Sequence, residues 1–315
     1  MQTPIIFWVL FNVFVFLMLA LDLGVFNRKN HVVSLRESLT WTFVWISLAL
    51  IFNAIIYFWR GPQQALEFFT GYLIEKALSV DNIFVFIMIF TYFHIPSKYQ
   101  HRVLFWGILG ALVLRVIFIF AGVALIEKFH VTIYVFGALL IYTGYKMFTQ
   151  HGEPINPEHN RLLKFVKKHL PVTHELHDGK FFVKQQGKRF ATPLFLVLII
   201  IETSDLIFAV DSIPAILAIT RDPFIVYTSN VFAILGLRSL YFALAGVVHR
   251  FWLLSYGLAV VLVYVGIKML LVDVYKIPIA WSLLFIAIVL TASIVISLKI
   301  QPREKASDSE VPKAV

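Results

Sequence analysis

Two short stretches of the chain place acidic side chains where they are costly. ETSDLIFAVDSIPA, from Glu202 to Ala215, carries Glu202, Asp205 and Asp211 inside an apolar run that begins near Leu194. EKALSVDNIFVF, from Glu75 to Phe86, does the same with Glu75 and Asp81. A charged side chain at the centre of a bilayer-spanning helix costs about 2.5–3.5 kcal/mol on insertion scales, so five carboxylates cost on the order of ten kcal/mol unless something offsets them. Protonation, basic partners or a bound cation could do so. The bases within the apolar runs are few: Lys76, Arg115 and Arg238. The excess of acid predicts a cation pathway, with Arg115 and Arg238 as internal counter-ions. A closed salt-bridge network that only fixes helix packing is the competing reading.

Spacing constrains how such acids could act. Glu202 and Asp205 are three residues apart and share a helix face. Asp205 and Asp211 are six apart, as are Glu75 and Asp81, which on a straight helix means about 9 Å of rise and about 120° of rotation. Neither pair can chelate one ion alone, so a shared site requires two facing helices or a local unwinding. Pro214 offers the second route, because it cannot bond the carbonyl of Val210. The nearby donors are carboxylates, Asn82, Thr203, Ser204, Ser212 and freed carbonyls, with no His or Cys in either motif. Oxygen ligation suits Mg²⁺, Ca²⁺ or Mn²⁺ and disfavours softer ions.

The elements that must hold these residues are transmembrane helices. With 60% apolar residues and 14% charged ones, the composition lies well away from that of soluble domains. Several runs reach the roughly 20 residues that cross a hydrocarbon layer. We read an all-α polytopic bundle of about nine spans, at 5–26, 39–59, 66–93, 103–126, 131–148, 193–218, 225–247, 252–272 and 278–299. The first is too long for a signal peptide and lacks the charged leader and small-residue cleavage site. The chain then divides into a two-helix extension (1–60), a three-helix unit (66–148), a polar basic connector (149–192), a second three-helix unit (193–272), a last helix (278–300) and a disordered tail (301–315).

The net charge of +9 does not point to nucleic acid, because the bases sit in loops beside the spans. One set of loops with Lys146 holds nineteen Lys and Arg against five on the opposite side. By the positive-inside rule the rich side is cytoplasmic, which puts the N-terminus outside and the C-terminus inside. With no cysteine, disulfides, thiolate metal sites and thiol redox chemistry are excluded. No phosphate loop, nucleophile elbow, zinc-protease or dinucleotide motif is present, so no enzyme is expected.

The two three-helix units are related. YVFGALLIYTGYKM (134–147) and YGLAVVLVYVGIKM (256–269) share Tyr, Tyr, Gly, Lys and Met at an offset of 122. Gly110 matches Gly236, Gly122 matches Gly246 and Asp81 matches Asp205 at offsets of 122–126. Three spans are an odd number, so the units face opposite ways across the membrane, a recurrent carrier architecture with its site near the midplane. Asp22 reads as interfacial or as a gate, Asn53 and Asn230 as interhelical hydrogen-bond glue. The connector histidines His151, His159, His169, His174 and His177 read as part of a solvated basic loop.

These motifs carry a family resemblance. LDLGVF at the end of the first span, EKALSVDN (75–82), TPLFLVLIIIETSDLIFAVDSIPA (192–215) and TSNVFAILGLRSLYFAL (228–244) make the chain similar to the TerC family of integral membrane proteins, and within it to the Alx-like branch. The resemblance implies a cation exporter of the bacterial inner membrane built from inverted three-helix repeats, with Mn²⁺ as the transported ion. Mg²⁺ and Ca²⁺ stay open on chemical grounds. By motif match it implies Glu75, Asp81, Asn82, Glu202, Asp205, Asp211 and Ser212 as metal-pathway residues. The expected partners are the bilayer, a divalent cation and protons, with no nucleic acid. A membrane factor that assists assembly or metallation of other proteins, without transport of its own, is the alternative.

Overall fold

The computed structural model describes residues 3–21, 33–149, 168, 170–173, 175–185, 188–245 and 251–300. Its helices are α1 (Ile5–Leu21), α2 (Leu35–Arg60), α3 (Pro62–Tyr92), α4 (Ser97–Lys128), α5 (Val131–Thr149), α6 (Pro193–Leu217), α7 (Pro223–Leu235), α8 (Leu237–Leu244), α9 (Leu254–Leu270) and α10 (Ile279–Lys299). Counting α7 and α8 as one broken span, nine helical segments among the described residues answer the nine expected spans, and six are long and apolar enough to cross a membrane. The Asp22 reading and those for four connector histidines fall outside the described residues.

Large apolar side chains face outward along the bundle, Phe58 being 86% and Ile207 61% exposed, as a lipid-facing surface requires. The interior is built around α7, in which every residue from Phe224 to Leu235 is buried. Rings of the N-terminal extension dock on it: Phe11 lies 5.6 Å from Phe232 and Trp8 5.1 Å from Phe224. Gly61, with a φ of 101°, makes the reversal from α2 to α3, a backbone state open mainly to glycine, and Pro62 then starts α3.

Two corrections to the sequence reading concern helix continuity and the connector. No unwinding occurs at Pro214, because α6 continues through it to Leu217. The proline lies so close to the helix end that few backbone bonds depend on it. The seventh span breaks instead at Gly236, where α7 gives way to α8. The connector is also more than a polar loop: Phe182–Gln185 pairs antiparallel with Lys188–Ala191 as strands β1 and β2. This hairpin is tied to the start of α4, with Gly179 against the Tyr99 ring and the Arg102 guanidinium 5.3 Å from the Phe181 ring centre.

The inverted repeat is visible in the packing. On α5 and α9, a Cβ at Gly137 would meet the Gly266 carbonyl, and one at Gly144 would meet the Ala259 carbonyl. At the offset of 122, Gly137 corresponds to Ala259 and Gly144 to Gly266. The two contacts are therefore images of each other, as in an antiparallel pair related by a two-fold axis. Glycines also seat polar groups elsewhere in the bundle: Gly110 on α4 lies against the Glu202 carboxylate of α6, and Gly236 against Lys76 of α3. Small residues let backbones approach where the hydrophobic effect cannot drive association.

Beyond one end of the α5–α9 pair, Asp273 accepts from the Tyr134 hydroxyl at 2.5 Å and lies 2.6 Å from His130 Nε2. These bonds, His130 first, hold the Asp273 carboxyl below its ordinary value of 3.8. A depressed folded pKa stabilises the fold above the unfolded value and loses that contribution as pH falls through the folded one. Asp273→Asn should thus lower the unfolding temperature slightly at neutral pH, with wild type and variant converging as pH falls below 3.8 and through the depressed folded value of Asp273. Gly144→Val has a larger expected effect, since its side chain must displace the Ala259 carbonyl: about 1–3 kcal/mol of destabilisation in thermal unfolding of the detergent-solubilised protein.

Candidate functional site

Four helices converge on Arg115 of α4, which is 1% exposed. Along one face of α4, Gly107, Ala111, Arg115 and Gly122 recur at helical spacing. Gly107 and Gly122 admit Ile201 and Leu217 of α6 at close range, and this draws the two helices together around the arginine. Arg115 Nη1 donates to Glu75 Oε1 (2.5 Å), Ser212 Oγ (3.0 Å) and Asn230 Oδ1 (3.1 Å), and Nη2 donates to Asp205 Oδ1 (3.3 Å). Asn230 Nδ2 donates to the other Glu75 oxygen at 3.0 Å, and Asn82 Nδ2 donates to Asp205 Oδ1 at 3.3 Å. Ser212 Oγ and Glu75 Oε1 thus accept from the same Arg115 nitrogen. The guanidinium can serve this many partners because it presents five donors in a fixed fork.

The repeat is carried into the site, with a different pairing from the one read in the sequence. Glu75 and Asp205, Asp81 and Asp211, and Asn82 and Ser212 are each separated by 130. Asn82 donates to Asp205, and its image Ser212 meets Glu75 on the shared Arg115 Nη1. The match of Asp81 to Asp205 is thereby replaced: Glu75 and Asp205 are equivalent, and Asp81 is equivalent to Asp211. An offset fixed on the third helices does not hold in the first ones, because Glu75 precedes Gly110 by 35 residues whereas Asp205 precedes Gly236 by 31.

The other predicted residues divide into two groups. Glu202 lies one turn before Asp205 on the same face of α6, against Gly110. Asp81 and Asp211 turn away from the arginine. Asp81 accepts from Ser255 of α9 at 3.0 Å, and Asp211 accepts from Thr143 of α5 at 2.8 Å, with Lys146 one turn further along α5. Two facing helices therefore meet as expected, and the carboxylates they share are Glu75 and Asp205 rather than Asp81 and Asp211. Among the described residues, no three Asp, Glu or His side chains converge closely enough to form an ion cage by themselves.

Several oxygens at this junction are buried without a hydrogen-bond donor: Asp205 Oδ2, Asn82 Oδ1 and Glu202 Oε2. A cavity of about 10 Å³ borders Asp205, lined also by Phe86, Gly107 and Ala111. That is about the room one water needs. Unpaired buried acceptors are rare, because each forfeits its hydration. A cation, a proton or a water is what such a group of oxygens can take up.

Lys76 answers the break in the seventh span. Its Nζ donates to the Ala233 carbonyl at 3.2 Å, a group that the Leu237 N–H would serve in an unbroken helix. Non-helical backbone at membrane depth is tolerated where protein groups satisfy it. Arg238 sits on α8, just past the break. Sequence reasoning missed Thr143 and Ser255. Their signal is only a hydroxyl on the third helix of each repeat. Asn230 is more than packing glue, since it bonds both members of the central ion pair.

The fold and the buried site define a polytopic membrane protein with an inverted repeat and a polar junction at its centre. The chain belongs to the Integral membrane protein TerC family, whose model matches residues 60–305. It is 54% identical over 306 residues to an uncharacterized membrane protein of Myxococcus xanthus, covering 97% of this chain and 96% of that one. It is 51% identical over 290 residues to an Escherichia coli K12 protein provisionally named membrane-bound redox modulator Alx, covering 89% and 90% of the two chains. A Salmonella typhi protein of the same name is 49% identical over 304 residues, 94% of each chain. No solved structure matches.

Removing one partner of a buried ion pair strands the other, so Glu75→Gln should destabilise the protein by about 3–5 kcal/mol in thermal unfolding. Lys76→Met leaves the Ala233 carbonyl unserved and should cost about 1–3 kcal/mol in the same measurement.

Proposed function

We propose that the chain is a secondary carrier exporting divalent cations, Mn²⁺ foremost, across the bacterial inner membrane, with its N-terminus outside and its C-terminus in the cytoplasm. The observation that carries this reading is the group of buried, donor-less oxygens at Asp205, Asn82 and Glu202, flanked along α3 and α6 by Asp81 and Asp211. An all-oxygen set favours Mn²⁺, Mg²⁺ or Ca²⁺ over softer ions. Mn²⁺ is preferred among them because the family resemblance implies it. Asp205, Asn82 and Glu202 take the ion at the centre, with Glu75 and Ser212 beside it. Asp81 with Ser255 and Asp211 with Thr143 serve as approach and departure points.

Energetics favour proton exchange. Moving one elementary charge through 100 mV is worth roughly 2.3 kcal/mol, so expelling a doubly charged ion from a negative interior costs roughly twice that. Two protons entering per ion make the exchange electroneutral, and carboxylates that lose protons to the metal supply the coupling. The name given to the relatives suggests a second reading, an effect on the redox state of other proteins. With no cysteine in this chain, such an effect would run through the metal supplied and not through a thiol.

The test is Mn²⁺ movement in proteoliposomes of the purified chain, compared with Mg²⁺ and Ca²⁺ and with an imposed proton gradient. Wild type should move Mn²⁺, and Asp205→Asn, Asp81→Asn and Asp211→Asn should each reduce the rate at least about tenfold, the weight of one lost charge-assisted contact. No movement by wild type, or full rates in all three variants, would end the carrier reading. A factor that acts only by assisting other proteins would give the first of these results. For orientation, a reporter inserted in the 149–192 connector should be cytoplasmic.

A further inference from the structure

The Arg115 guanidinium occupies the position that a transported cation has to reach. It lies between one carboxylate from each repeat, Glu75 and Asp205, and forms an ion pair with both. Its hold on the two is unequal. Nη1 is 2.5 Å from Glu75 and is also fixed by Ser212 and Asn230, while Asp205 receives a single bond at 3.3 Å from Nη2. The second Asp205 oxygen is unpaired, as are the neighbouring Asn82 Oδ1 and Glu202 Oε2, and Arg115 Nε has no acceptor. The arginine is thus anchored at Glu75 and loosely placed at Asp205, next to the oxygens a metal would take.

We propose that Arg115 is a tethered competitor of the transported cation. In the empty protein it pairs with both Glu75 and Asp205, offsetting one of their two charges and leaving the other for a proton. An arriving divalent ion displaces it from Asp205 while it stays on Glu75, and its return to Asp205 helps expel the ion on the far side. The inference rests on the carrier reading above and adds to it the group that sets affinity. A built-in competitor scales affinity down to the fraction of time it leaves the site free, which helps a carrier release its cargo. It also leaves the unloaded protein with less unbalanced buried charge when it changes state.

The experiment measures equilibrium Mn²⁺ binding to the full chain in lipid nanodiscs, by calorimetry and by the electron paramagnetic resonance signal of free Mn²⁺. If Arg115 holds Asp205 for about nine-tenths of the time or more, Arg115→Ala should bind Mn²⁺ at least about tenfold more tightly than wild type. Guanidinium ion at millimolar concentration should then compete with Mn²⁺ in the variant and leave wild type unchanged. Arg115→Lys, which keeps the charge but cannot bridge both carboxylates, provides a second variant if alanine prevents folding. It should bind Mn²⁺ more tightly than wild type by a smaller factor. Binding by wild type, with equal or weaker binding by the variants, would overturn the competitor role and leave Arg115 as a residue that positions ligands. Absence of Mn²⁺, Mg²⁺ and Ca²⁺ binding in wild type would instead remove the carrier reading, and this inference with it.

Discussion

The structure depends on how two carboxylates are held in a medium that rejects charge. Glu75 and Asp205 come from different helices and share one guanidinium. Leaving water is so costly for each ion that the pair is tolerable only with good geometry and with the remaining donors and acceptors served. Ser212, Asn230 and Asn82 meet much of that demand. Arg115 can act as the hub because α4 comes close to both motif helices, and it comes close because Gly107 and Gly122 carry no side chain to hold α6 away. Ordinary side chains at those glycines would separate the helices and leave the charges without partners. Backbone approach and charge balance are therefore one requirement.

The repeat supplies the central and flanking carboxylates twice and the arginine once. Glu75 and Asp205, Asp81 and Asp211, and Asn82 and Ser212 occur as pairs 130 residues apart. Arg115 does not: the position 126 residues on holds Tyr241, whose hydroxyl donates to Gln100 at 2.9 Å. Two symmetric acids thus share one asymmetric base, which is why the hub is bonded tightly on one side and loosely on the other. An internal two-fold axis predicts two equal half-sites, and the single arginine makes them unequal.

Much of this was legible in the sequence. Acids inside apolar runs marked α3 and α6 before any geometry was known, and the Tyr, Gly and Lys pattern of α5 and α9 revealed the inverted units. Register within the repeat was not legible. Identical residues exist at several offsets, and only contacts such as Asn82 to Asp205 choose among them. The break at Gly236 escaped for a related reason. A glycine in an apolar helix commonly permits close packing, and its role here as a break depends on Lys76 reaching the Ala233 carbonyl from another helix. Pro214 carried the stronger local signal and proved the weaker disruption, because near a helix end a missing N–H removes little. Thr143 and Ser255 could not be told from other hydroxyls until α5 and α9 were placed against Asp211 and Asp81.

The pseudo-symmetry also bears on direction. In the proposed carrier, an ion approaching from one side meets Asp81 with Ser255, and one approaching from the other meets Asp211 with Thr143: the two acids are related by the repeat, and each finds a hydroxyl on a third helix. A site of this kind presents nearly the same oxygens to both faces of the membrane, so its binding chemistry alone sets no direction of flow. Net export must then come from the gradients across the bilayer, chiefly that of the exchanged protons. The asymmetric placement of Arg115 changes how fast the ion is taken up and released, and has no influence on where the equilibrium lies.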